Sequence, residues 1–65
     1  MSEFTIDAFN PITEETVQCH FTFDEVSGMT SYVTESRIAY ISLATSMMVA
    51  EMHAKGFLER IGFEL

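Results

Sequence analysis

A chain of 65 residues with a single cysteine and two histidines can form no internal disulfide and fits no zinc-finger spacing, so its small core needs another source of stability. Ten acidic residues against three basic ones, Arg37, Lys55 and Arg60, give a net charge of −7, which disfavours direct nucleic-acid binding, since phosphate contacts need clustered Lys and Arg. The longest apolar stretch, Ile38 to Met52, is too short for a membrane span and is interrupted by Ser42, Thr45, Ser46 and Glu51.

Ser2 and Glu3 stand where a secretory signal would carry basic charge, and a lone thiol suits a reducing compartment, so a cytoplasmic protein is expected. One α+β domain over residues 1–65 is predicted.

The first strand is predicted over residues 3–9, with Phe4, Ile6 and Ala8 on one face and Thr5, Asp7 and Phe9 on the other. Asn10-Pro11 breaks it. The clearest strand is residues 16–23, where Val17, Cys19, Phe21 and Phe23 alternate with Thr16, Gln18, His20 and Thr22. Ser27-Gly28 then turns the chain into a short third strand at residues 29–33. Two or three strands make a small antiparallel sheet.

From Thr34, taken as N-cap, to Gly56, taken as stop, no proline or glycine intervenes, and one long helix over about residues 34–56 is expected. Successive steps of about 100° gather Ile38, Ile41, Thr45, Met48, Val49 and Met52 on one stripe and Ala39, Tyr40, Leu43, Met47, Ala50 and Ala54 on another. One stripe covers the sheet. The other requires a partner, so a homodimer closed by a twofold axis through the helix is expected, with Ile38, Tyr40, Ile41, Leu43, Met47, Met48 and Met52 at the interface. Residues 57–65 form a docked tail.

Candidate chemistry is sparse. Cys19 and His20 are neighbours on a strand and therefore face opposite ways, which defeats a nucleophile and base pairing. His53 falls on a polar strip with Ser42 and Ser46, and neither histidine has the HxxxH or HxxE spacing that preorganises a metal site. The acidic pairs Glu14-Glu15 and Asp24-Glu25 lie in loops at opposite ends of the second strand, where they are solvated charge. No phosphate loop or nucleophile elbow is present. No cofactor and no enzymatic role are expected.

These features point to a small acidic interaction module that regulates or inhibits a larger, basic protein, with Glu14, Glu15, Asp24 and Glu25 as the partner surface. That surface could occupy a basic nucleic-acid-binding site. The alternative is a structural subunit or adaptor whose helix completes the core of another protein.

Overall fold

A computed structural model describes residues 1–65. Four strands, β1 (Ser2–Asn10), β2 (Glu15–Phe23), β3 (Met29–Val33) and β4 (Ile38–Leu43), are followed by one helix, α1 (Met47–Arg60). The strands form an antiparallel meander in the order β1-β2-β3-β4, and α1 lies against one face. No helix is long and apolar enough to cross a membrane.

Period-two alternation supplies the buried face. Ile6 pairs with Cys19, Phe4 with Phe21, and Phe21 with Tyr32, so alternate residues of three strands point towards α1. Phe4, Phe21, Tyr32 and Phe57 then make a series of neighbouring rings, with centroids 5.3, 5.2 and 5.4 Å apart, joining the sheet to the helix. The helix contributes Ala50, Ala54 and Leu58, all buried. Their spacing of four keeps them on one stripe, and the two alanines let the helix backbone approach the sheet closely.

The segment from Thr34 to Gly56 is not one helix. Its first half is the hairpin turn and β4, which makes the sheet four-stranded and removes the two-striped helix on which a helix-to-helix seam was expected. Thr34, taken for an N-cap, instead clasps the β3–β4 turn: its N–H and hydroxyl donate to the Arg37 carbonyl at 2.9 and 3.1 Å, and its Oγ1 accepts from the Arg37 N–H at 3.3 Å.

The helix begins at Met47, twelve residues later than the start at Glu35 that an N-cap at Thr34 implies. Ser46 is its N-cap, accepting from the Val49 N–H at 3.3 Å. Gly56 does not stop it. The helix ends in a Schellman motif at Gly62, whose φ is +109°: Phe63 N–H donates to the Leu58 carbonyl at 2.9 Å and Gly62 N–H to the Glu59 carbonyl at 3.2 Å. The tail then docks on the outer edge of β1, where Phe9 and Glu64 exchange two backbone hydrogen bonds of 2.8 Å.

Candidate functional site

β4 is the last strand of the sheet, so one of its backbone edges has no strand beside it. Its register explains what it exposes. Val33 pairs with Ile38 and Ser31 with Tyr40, but Thr30 pairs with Ser42, so Ile41 is an extra residue in a β-bulge. The bulge changes the phase of alternation. Ile38 and Tyr40 before it and Leu43 after it all stay exposed, at 70%, 58% and 60%.

The open face of the sheet is thereby divided. Over β1 and β2 it is polar, with Glu3, Thr5 and Asp7 beside Gln18, His20 and Thr22. Over β3 and β4 it is mostly apolar, with Met29, Val33, Ile38, Tyr40 and Leu43 around a buried Ser31. A shallow cavity of about 510 Å³ crosses the border, lined by Glu3, Thr5, His20, Thr22, Val33 and Ile38 among others.

The seven expected interface residues separate into three places. Ile38, Tyr40 and Leu43 lie on the open side of β4. Ile41 and Met47 are half-buried and pack against the core. Met48 and Met52 are exposed one turn apart on α1. The strand and the helix, not two faces of one helix, carry the apolar surface.

A second concavity, about 300 Å³, lies between β4 and α1. Ile41 and Ser42 form its strand side and Met52, His53, Gly56, Phe57 and Arg60 its helix side. Here Ser42 Oγ and His53 Nδ1 share a 2.8 Å hydrogen bond. Sequence periodicity put both on one strip of a helix, whereas the fold joins them across the strand-to-helix junction. No carboxylate lines the groove, so the imidazole lacks the orienting acid of a serine–histidine nucleophile system.

The acidic residues do not converge. Glu14 and Glu15 are at one end of β2, and Asp24 and Glu25 follow its other end. The second pair is engaged locally: Asp24 Oδ1 accepts from the Val26 N–H at 2.9 Å and the Ser27 N–H at 3.4 Å, and those bonds hold its carboxyl below the ordinary range. Glu25 accepts from the Ser2 hydroxyl and pairs with the Met1 ammonium at 3.1 Å. Chiefly through the Ser2 bond, its pKa is lowered to about 2.

Cys19 is buried, and that burial raises its thiol pKa despite a hydrogen bond with Tyr32. It behaves as a small apolar core residue. His20 points to the opposite, open side of the sheet. From sequence Gly56 is read only as a helix stop and Arg60 only as one of three basic residues, so neither they nor the Ser42 to His53 bond mark a groove until α1 is seen to run on to Arg60. No protein-family model, no curated protein and no solved structure matches this chain.

Proposed function

We propose that this chain is a small acidic protein-interaction module, assembled as a homodimer along the free edge of β4, that regulates or inhibits a larger, basic partner. The observation that carries the proposal is the juxtaposition of an unpaired strand edge with exposed Ile38, Tyr40 and Leu43. Natural edge strands are blunted by charge, proline or a bulge; β4 has neither charge nor proline along its six residues, and its one irregularity is the bulge at Ile41. Antiparallel pairing of β4 with β4 of a second copy presents the same surface from both sides, as a twofold interface requires.

Charge also favours that location. Two chains of net charge −7 repel each other, but the turn before β4 carries one charge of each sign, Glu35 and Arg37. Glu3 and Asp7 lie on β1, the far strand of the sheet. Dimerisation through β4 would leave them, with Glu14 and Glu15, free for a basic partner.

Light scattering on the pure protein tests the dimer. A discrete dimer that becomes monomeric in Ile38→Lys and Tyr40→Lys, without loss of the folded circular dichroism spectrum, is expected. A wild-type monomer at every concentration counts against it. Binding to a basic partner should weaken as salt rises, and an affinity independent of ionic strength would remove the acidic surface from the proposal.

A further inference from the structure

We propose that the groove between β4 and α1 is a binding site for a small organic acid, a carboxylate carried on a short apolar body. Gly56 is the first observation. It lies in the interior of α1, where glycine weakens a helix relative to alanine. Its backbone is not in the left-handed region, and a Cβ built on it would meet no heavy atom of the rest of the fold within 4 Å. Neither conformation nor packing requires a glycine there. What it does is keep open the helix side of the groove.

The polar groups supply the second observation. Arg60 is one of only three basic side chains among ten carboxylates, and it lines a groove that contains no acidic residue. The single ion pair of the molecule joins Met1 and Glu25, so Arg60 is free to meet an anion. Beside it, the Ser42 and His53 pair retains a donor whichever way their shared proton lies. If the Ser42 hydroxyl donates to Nδ1, the neutral imidazole carries its proton on Nε2. If Nδ1 donates, the hydroxyl hydrogen remains available.

Ile41, Met52 and Phe57 complete the groove with apolar surface. A volume of about 300 Å³ stands at the small end of ligand sites, where a few well-placed polar groups orient a mostly apolar molecule. Guanidinium and carboxylate form the charge-assisted contact, and the apolar wall takes the short hydrocarbon.

The test is a titration of the full chain with butanoate, hexanoate and 3-phenylpropanoate, followed by amide chemical shifts in two-dimensional NMR. Saturable shifts confined to residues around Ser42, His53, Gly56 and Arg60, absent with 3-phenylpropanamide, are expected for at least one acid. Arg60→Gln should weaken that acid at least tenfold. Gly56→Ala should raise the melting temperature while weakening binding, and Gly56→Leu should abolish it. No saturable shift with any of the three acids, equal binding of the amide, or undiminished binding to Gly56→Leu would each overturn the proposal. Because Ile41 and Ser42 belong to β4, the titration is repeated on Ile38→Lys, and binding that persists in that variant is separable from the dimer.

Discussion

Gly28 and Ala44 are locked backbone to backbone: the Ala44 N–H donates to the Gly28 carbonyl at 2.7 Å, and a Cβ on Gly28 would stand 2.6 Å from the Ala44 carbonyl oxygen. Gly28 closes the β2–β3 turn at φ +81°. Ala44 is buried with Phe23 and Ala50 just where the chain leaves β4 for α1. The contact therefore fixes the junction from which the helix is launched. Gly28→Ala meets both a left-handed backbone and a fixed carbonyl, and should cost at least about 2 kcal/mol. In a chain of this size that lowers the melting temperature by roughly 10 °C, which thermal unfolding followed by circular dichroism will read.

The β1–β2 turn repeats this design with one flaw. Asn10 Oδ1 accepts from Ile12 and Thr13 N–H groups at 2.9 and 3.4 Å, as Asp24 does from Val26 and Ser27. The fifth residue of each turn donates its N–H back to the first carbonyl at 2.7 Å. In the second turn that residue is glycine. In the first it is Glu14, at φ +59°, a conformation that costs a side-chain-bearing residue about 1–2 kcal/mol. Glu14→Gly should thus stabilise the protein by about 0.5–1 kcal/mol after allowing for the entropy of glycine in the unfolded chain. Chemical denaturation should show a higher midpoint with an unchanged slope.

Those turns also show what was legible in the sequence. Strict alternation located β1 and β2 to within a residue, and Gly28 placed the start of β3, because one apolar face and clear turn chemistry leave little choice of register. β4 was missed for two physical reasons. It is an edge strand with apolar residues on both faces, and the bulge at Ile41 shifts its phase, so Ile38–Ile41 reads as a continuous apolar run without alternation. Such a run suits a buried helix equally well. Ser42, Thr45 and Ser46 argued for a break, since these residues favour caps and turns over helix interiors. The groove was illegible for the same reason: His53 and Ser42 can meet only if the chain reverses between them.

Thr30 offers a separate stability test. It is fully buried beside Phe23 and Ser42 in the sheet, and its Oγ1 has no hydrogen-bond partner. An unsatisfied buried hydroxyl costs about 1–3 kcal/mol. Thr30→Val keeps the shape and removes the hydroxyl, and should stabilise the fold by about 1 kcal/mol. Thr30→Ser keeps the hydroxyl and deletes a buried methyl, and should destabilise by a similar amount, about 1 kcal/mol. Opposite shifts of the unfolding midpoint are the expected result, and a loss in Thr30→Val would show that the hydroxyl has a partner.

Acid should loosen the β2–β3 turn first. Asp24 and Glu25 both have folded pKa values below their ordinary ones, Asp24 through the Val26 and Ser27 N–H groups and Glu25, at about 2, through Ser2 and its other donors. A carboxyl with a depressed folded pKa binds its proton more readily when unfolded, so its stabilisation is complete above the unfolded value near 4 and is lost as pH falls through the folded one. The melting temperature should fall from about pH 4.5 towards pH 2. Asp24→Ala should melt below the wild type at pH 7, and the gap should narrow as pH falls through the depressed folded pKa of Asp24, where the carboxyl takes up its proton and no longer rewards the turn. A constant gap across that window would mean that the aspartate acts through its shape and not its charge.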